Sequence, residues 1–137
     1  MQGINTYVWT WAEGRFRVTD QMAQGRNVTA TGSFASALGD GCDATGQYSH
    51  ATNRNTLASA TCSSAMGEGT EASGTASHSQ GMFTDATGTA AHAQGYNTKA
   101  LANYAHSQGY GSQATNTAAH AEGYNTCLLY TSDAADE

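Results

Sequence analysis

The sequence predicts an all-β protein, a parallel β-roll whose 14-residue coils each hold two short strands. Three observations predict this fold. Glycine returns every 14 residues, alanine and serine occupy fixed positions between the glycines, and the 137-residue chain has 16 glycines and no proline. Because coils that hydrogen-bond to one another need every backbone N–H group, the absence of proline is typical of such a stack.

The glycine period fixes the first turn of each coil. Counted in steps of 14, seven of eight positions are glycine and the remaining one is asparagine. These two residues tolerate a positive φ angle better than others, so the column predicts a turn with that backbone conformation. We call it the anchor column, and it consists of Gly25, Gly39, Asn53, Gly67, Gly81, Gly95, Gly109 and Gly123.

Two more columns predict turns. The position two residues after the anchor is asparagine or glycine in every coil except one, where it is Phe83. The position seven residues after the anchor holds a second set of turn residues: Gly32, Gly46, Ala60, Gly74, Gly88, Ala102 and Asn116. Each coil is therefore expected to turn twice, with a strand between successive turns.

Three columns of small residues predict the interior. The residue five after the anchor is alanine in each coil from Ala30 to Ala114, and from Ala35 onwards the positions four and two residues before the anchor hold only alanine and serine. Period-2 alternation between the turns predicts strands, so these residues would face a narrow space between two closely spaced strands. A conventional core of large aliphatic and aromatic side chains is not expected.

Two segments carry a family resemblance. Residues 91–98 read AHAQGYNT and residues 119–126 read AHAEGYNT. They resemble the YadA-like head repeat of trimeric autotransporter adhesins and the similar repeats of phage tail-fibre and appendage proteins, over residues 21–126. The resemblance implies a left-handed parallel β-roll, a homotrimer, and attachment to a host-surface receptor, protein or glycan. It also implies a location on the cell surface, attached to the outer membrane, or in a virion tail fibre.

The chain departs from the adhesin motif beside the anchor. That motif has an apolar residue on each side of the small residue before the glycine, whereas this chain has His106 and Gln108 in one coil and His120 and Glu122 in another. If this face meets the trimer axis, as the resemblance implies, the interface is polar. Collagen binding, an activity of the adhesin motif, is therefore not expected here.

All the histidines lie three residues before the anchor, at His50, His78, His92, His106 and His120. Stacked coils would place the last four in a continuous ladder with about 5 Å between neighbours. The ladder would be either a solvated or hydrogen-bonded polar row, or a binding site in which threefold-related histidines hold an anion or a metal ion. The sequence leaves both interpretations open, and no dedicated metal site or cofactor is predicted.

Composition and spacing argue against several other functions. The formal net charge is −6, with five Lys and Arg residues and no basic cluster, so nucleic acid is not an expected partner. No apolar run approaches the roughly 20 residues of a membrane span, and residues 1–5 do not resemble a signal peptide. Asp43, Glu71 and Asp85 share one column, and no Ser or Cys stands at a singular position beside a histidine and an acid. The protein is therefore not expected to be an enzyme.

The two ends of the chain do not follow the repeat. Residues 1–20 alternate Tyr7, Trp9 and Trp11, which predicts a capping strand, with an aromatic sugar-binding patch as the alternative. In residues 127–137 the columns fail, since Leu128 stands in the alanine column. This tail resembles a translated sequencing adapter, so it is predicted to be an artefact, and the natural protein is expected to continue beyond Thr126.

The sequence therefore predicts a non-enzymatic structural and adhesive segment of a trimeric surface fibre. An alternative is an ice-binding β-solenoid with ranks of threonine. Thr-x-Thr pairs occur at Thr87 and Thr89 and at Thr115 and Thr117, although Gln47, Leu101 and Asn103 interrupt the ranks.

Overall fold

The computed structural model describes residues 21–128 and two short strands, β1 (Tyr7–Thr10) and β2 (Arg15–Val18). Residues 21–128 form a parallel β-solenoid of about seven turns with a 14-residue repeat. The predicted all-β class and the predicted coil length are both confirmed. Within the described residues, no helix has the length and apolarity to cross a membrane.

Each coil contributes one five-residue strand and one two-residue strand, and each kind forms its own eight-stranded parallel sheet. The long sheet consists of β3 (Met22–Arg26), β5 (Ser36–Asp40), β7 (His50–Arg54), β9 (Ser64–Glu68), β11 (His78–Met82), β13 (His92–Tyr96), β15 (His106–Tyr110) and β17 (His120–Tyr124). The short sheet consists of β4 (Thr29–Ala30), β6 (Asp43–Ala44), β8 (Leu57–Ala58), β10 (Glu71–Ala72), β12 (Asp85–Ala86), β14 (Lys99–Ala100), β16 (Gln113–Ala114) and β18 (Cys127–Leu128).

In both sheets the strands pair with an offset of 14 residues, which is the period of the sequence repeat. Each residue pairs with its equivalent 14 positions along, so Gly81 lies beside Gly95 and Gly95 beside Gly109. A slip of one residue would turn every inward side chain outward, which the alternation of small and large residues opposes. Each column of the sequence is therefore a physical row of side chains along the stack.

The anchor column has the predicted positive φ angles, from 114° to 133° at the glycines and 92° at Asn53. Contrary to the prediction, the anchor residues are not turns but the fourth residues of the long strands, and the chain bends two residues later. Close approach adds a second reason for glycine. A Cβ atom built on Gly95 would lie 2.1 Å from the carbonyl oxygen of Gly109, and the equivalent contact at Gly67 is 1.9 Å. The next turn column is confirmed as well, since the position two after the anchor has positive φ throughout, including 58° at Phe83.

The second turn differs in detail from the prediction. In this turn the N–H of Ala35 donates to the carbonyl of Gly32 at 3.0 Å, and the same bond recurs in later coils. The residue with positive φ is not Gly32 but the one two positions later, which the sequence analysis did not single out. This corner column consists of Phe34, Tyr48, Cys62, Ala76, Ala90, Tyr104 and Ala118, with φ between 54° and 61°.

Four columns line the interior, one more than predicted. The three predicted columns of alanine and serine are buried, and so is the column three residues after the anchor. This missed column contains Val28, Cys42, Thr56, Thr70, Thr84, Thr98 and Ser112. Since the largest fully buried side chains are those of threonine and cysteine, the two sheets enclose a narrow core with little apolar area.

The threonine hydroxyls of this column differ in whether they form a hydrogen bond. The Thr84 hydroxyl lies 2.7 Å from the Ser79 hydroxyl across the interior. In the coils of Thr56, Thr70 and Thr98 alanine stands in place of Ser79, and the buried hydroxyls of these threonines have no hydrogen-bond partner among the described residues. A buried hydroxyl without a partner costs free energy that an apolar group of the same shape does not.

The ends were predicted to be separate from the roll. β1 and β2 pair with each other in an antiparallel hairpin that places Trp9 opposite Phe16. Their side chains lie outside the described residues, so the capping role stays a prediction. At the other end β18 extends the short sheet by pairing Cys127 with Gln113, and residues 129–137 of the predicted artefact lie outside the described part of the chain.

The anchor geometry predicts a large effect for one substitution. Gly95→Val should lower the free energy of unfolding by about 3 kcal/mol, because valine is strained at positive φ and its Cβ would collide with the next coil. Tyr96→Ala, on the neighbouring exposed residue, should cost about 1 kcal/mol through lost ring stacking. Urea unfolding followed by circular dichroism measures both, and equal losses would contradict the anchor assignment.

The unpartnered hydroxyls predict a stabilising substitution. Thr98→Val should raise the free energy of unfolding by about 1 kcal/mol, because it removes a buried polar atom without changing the shape of the side chain. Thr84→Val is the matched control, since it also removes the hydrogen bond to Ser79. A Thr98→Val variant that is less stable than Thr84→Val would contradict this account of the interior.

Candidate functional site

The outer face of the long sheet is the candidate functional surface. In each five-residue strand the second side chain is buried, while the first and third point outward, as in β13, where His92 and Gln94 are half-buried and Ala93 is fully buried. The fourth residue is the anchor, and the fifth is exposed in β13 at Tyr96. Three outward columns therefore run along this face.

We name these columns by their residues. The histidine column consists of Met22, Ser36, His50, Ser64, His78, His92, His106 and His120. The glutamine column consists of Gln24, Leu38, Thr52, Met66, Gln80, Gln94, Gln108 and Glu122. The rim column consists of Arg26, Asp40, Arg54, Glu68, Met82, Tyr96, Tyr110 and Tyr124.

Four histidines form the ladder that their spacing predicts. The rings of His92 and His106 are stacked with centroids 4.7 Å apart, and those of His106 and His120 are 4.6 Å apart. His78 meets His92 edge to face at 5.0 Å. The fifth histidine, His50, is separate from the ladder because its neighbours on both sides are serines.

The ladder has few polar contacts in the single chain. The Nε2 atoms of His92 and His106 are buried and have no hydrogen-bond partner within the described part of the chain. Burial, together with the neighbouring His106 and His78, lowers the pKa of His92. At the end of the ladder His120 Nε2 lies 3.4 Å from a carboxylate oxygen of Glu122. The described residues contain no group of three or more His, Cys, Asp or Glu side chains placed to hold a metal ion.

Two of the three columns, the histidine and glutamine columns, contain almost no charged residues. Between Met22 and Gln108 the histidine and glutamine columns contain no Lys, Arg, Asp or Glu, and Glu122 in the last coil is the exception. We call this part of the two columns the uncharged band. Charges on the sheets lie instead in the rim column and in the first position of the short strands, which contains Asp43, Glu71, Asp85 and Lys99.

The rim column changes character halfway along the stack. In the first four coils it is charged, and neighbouring coils pair opposite charges. Arg26 forms an ion pair with Asp40 that lowers the pKa of the Asp40 carboxyl through a side-chain hydrogen bond, and Arg54 lies 3.4 Å from Glu68. These side chains are exposed, so each pair contributes little stability.

In the last three coils the rim column is tyrosine. The rings of Tyr96 and Tyr110 stack at 5.0 Å and those of Tyr110 and Tyr124 at 4.8 Å, with interplanar angles of 7°. Phe83 meets Tyr96 edge to face at 6.0 Å. We call Tyr96, Tyr110 and Tyr124 the tyrosine segment. The sequence analysis missed it, although the same step of 14 would have found it.

An open groove lies beside the rim column because the anchor positions have almost no side chains. Its lining comprises Asn53, Arg54, Gly67, Glu68, Gly81, Met82 and Gly95. The repeat carries the same arrangement of bare backbone and rim side chain past Gly109 to Gly123. The anchor glycines, which the sequence analysis identified as turns, therefore also shape the outer surface.

The geometry suits association and binding along the stack. The predicted site residues fall into two groups. Four of the five histidines form an outward ladder, with His50 separate from it in the same column, and the anchor residues form a backbone floor beside this column. Carboxylates Asp43, Glu71 and Asp85 lie on the other sheet, where Lys99 Nζ is 2.7 Å from Asp85.

Comparisons with known proteins give no family assignment. No protein-family model matches this chain. No curated protein matches it either.

The depressed pKa of His92 predicts a pH-dependent stability. A histidine that binds protons more weakly in the folded state favours the unfolded state as pH falls, so the free energy of unfolding should be highest above about pH 6.5 and should decrease below it. Charge on the neighbouring His106 and His78 also disfavours the protonated form of His92. Thermal melting at pH 7.5 and pH 5.0 should therefore show a lower melting temperature at pH 5.0.

Two glutamine variants make this test specific. His92→Gln should reduce the difference in melting temperature between the two pH values, because it removes the histidine whose pKa is lowered by burial and by its two ring neighbours. His50→Gln is the matched control, since His50 has serine neighbours, and it should reduce the difference much less. Equal effects of the two variants would show that the ladder has no special role in the pH dependence.

Proposed function

We propose that this chain is a non-enzymatic segment of a trimeric surface fibre, in which three solenoids pack side by side into a rigid rod that serves attachment to a host or another surface. The observation that carries the proposal is the uncharged band on the outer face of the long sheet. Depletion of charged residues is the compositional signature of the centre of a protein–protein interface. If the whole face were exposed to water, charged residues would be expected in the band as well as in the columns beside it.

The narrow interior supports lateral association. The core contains alanine, serine, threonine and little else, so each coil buries little apolar area by itself. Packing against two further copies would bury the half-exposed side chains of the band, including Leu38 and Met66. It would also place the unpartnered Nε2 atoms of His92 and His106 beside polar groups of the other chains. Association of this kind stabilises each folded chain by mass action.

The resemblance to YadA-like head repeats supplies the finer features of the proposal. It adds left-handed coiling, a homotrimer, and a threefold axis on the face that carries the histidine and glutamine columns. Two settings are consistent with it: the head of an adhesin attached to the outer membrane, or a phage tail fibre or appendage. The partner of the fibre is then a host-surface receptor, either a protein or a glycan.

Ice binding is the second candidate. Its support is that Thr87, Thr89 and Thr117 are exposed, as are the equivalent Thr31 and Thr45. These residues lie in the turns after the short strands rather than on a flat sheet, and a flat array of hydroxyls is what ice binding would use. The fibre proposal therefore ranks first, and thermal hysteresis of the purified protein distinguishes the two.

The association proposal predicts the effect of a charge in the band. The full chain should have three times the chain mass of 14.2 kDa by light scattering. The double variant Gln94→Lys, Gln108→Lys should shift trimer dissociation to a protein concentration at least about tenfold higher, because like charges would face one another across the interface.

Gln113→Lys is the matched control for this experiment. Gln113 is half-buried like Gln94 but lies in the short sheet, in the column that already carries Lys99. It should leave the measured mass unchanged. A chain that is monomeric at all accessible concentrations, or a control that dissociates as readily as the double variant, would refute packing through the uncharged band.

A further inference from the structure

The tyrosine segment is a surface that the packing of the single chain does not explain. Tyr96, Tyr110 and Tyr124 are 40%, 45% and 73% exposed. They continue an exposed apolar patch that begins at Met82 and Phe83. A contiguous patch of this kind on a soluble surface marks an interaction site.

Apart from Glu122, which lies two residues before Tyr124, the groups around the segment are neutral. The anchor glycines lie on one side of it, and Asn97 and Asn125 lie exposed on the other. Among the described residues after Phe83, Lys99 is the only Lys or Arg, and its ammonium is held by Asp85 on the short sheet. The segment therefore offers phenol hydroxyls, amides and aromatic edges, with no cation to attract an anionic ligand.

The spacing of the tyrosine hydroxyls follows the spacing of the coils. The ring centroids lie 5.0 and 4.8 Å apart and the rings are nearly parallel, so each coil presents one phenol in the same orientation. A tyrosine hydroxyl both donates and accepts hydrogen bonds. Because the register fixes the rows before any ligand arrives, little conformational entropy would be lost on binding.

We propose that the tyrosine segment binds a neutral linear glycan that lies parallel to the stack, with one sugar on each coil. An extended β-linked glycan advances along its axis by nearly the same distance per sugar as the solenoid does per coil. Its hydroxyls would bond to the phenols and to Asn97 and Asn125. The inference deepens the attachment role and rests on it for its biological setting, but a single chain contains the whole site.

The charge pattern decides between ligand classes. An anionic glycan or a nucleic acid would need Lys or Arg beside its negative groups, and none lines the tyrosine segment. Where the same column does carry arginine, at Arg26 and Arg54, each guanidinium is engaged by a carboxylate of the next coil. Neutral sugars are the class whose groups match the phenols and amides that are present.

Calorimetric titration of the full chain tests the proposal. The probes are cellohexaose and chitohexaose, their disaccharides, and an oligogalacturonate of six sugars as the anionic comparison. At least one neutral hexasaccharide should bind at least about tenfold more tightly than its disaccharide, because contacts on successive coils reinforce one another. The oligogalacturonate should not bind.

The matched variants remove hydroxyls and keep rings. The triple variant Tyr96→Phe, Tyr110→Phe, Tyr124→Phe retains the stack and should weaken binding at least about tenfold through the loss of three hydrogen bonds. The double variant Tyr48→Phe, Tyr104→Phe makes the same change on exposed tyrosines of the corner column and should leave binding unchanged. Circular dichroism verifies that all proteins are folded, and NMR of the tyrosine rings provides a readout that needs no variant.

Three results would overturn the inference: no binding of either neutral hexasaccharide, binding of the anionic one with equal affinity, or full binding by the triple variant. Light scattering on the same samples separates this inference from the fibre proposal. A trimer that binds no glycan refutes the glycan site alone, and a monomer that binds glycan through the tyrosine segment refutes the trimer alone.

Discussion

Hydrogen bonding from each coil to the next, in a fixed step of 14 residues, is the constraint on which the rest of the structure depends. The N–H of Lys99 donates to the carbonyl of Ser112, and the N–H of Asp85 to that of Thr98, each at 2.9 Å. Because this step places each residue beside its equivalent, neighbours along a column must be compatible. The charged half of the rim column meets this requirement by alternating Arg and Asp or Glu, and the tyrosine half by stacking.

The same constraint explains the composition of the core. The two strands of a coil are so close that only small side chains fit between them, and the buried residues are accordingly Ala, Ser, Thr, Cys and Val. Such a core buries little apolar area, so backbone hydrogen bonds and outer ladders contribute more to stability than in a globular domain. The large side chains, including Phe34 and Tyr104, are left outside, where they are available to partners.

The period allowed much of the fold to be predicted from the sequence, and its failures share a physical cause. Columns of uniform chemistry were interpreted best: the alanines from Ala30 to Ala114 were assigned correctly to the interior, and the anchor glycines have the predicted positive φ, although they lie within the long strands rather than in turns. The column of Val28, Cys42 and the threonines was missed because its members differ in polarity and share only their size. The histidine ladder followed from spacing alone, but which partner the histidine and tyrosine rows meet depends on surfaces outside the single chain.

The corner column shows how far the register overrides local preference. Phe34, Tyr48 and Tyr104 have φ near 60°, a conformation that bulky residues rarely adopt, while Ala76 and Ala90 adopt it in other coils. Hydrogen bonds to the coils on both sides fix the backbone there, so the identity of an outward side chain has little influence on the path of the chain. For the same reason the rim column can change from ion pairs to tyrosines without a change of fold. A solenoid of this kind separates stability, which the inner columns and turns determine, from recognition, which the outer columns are free to vary.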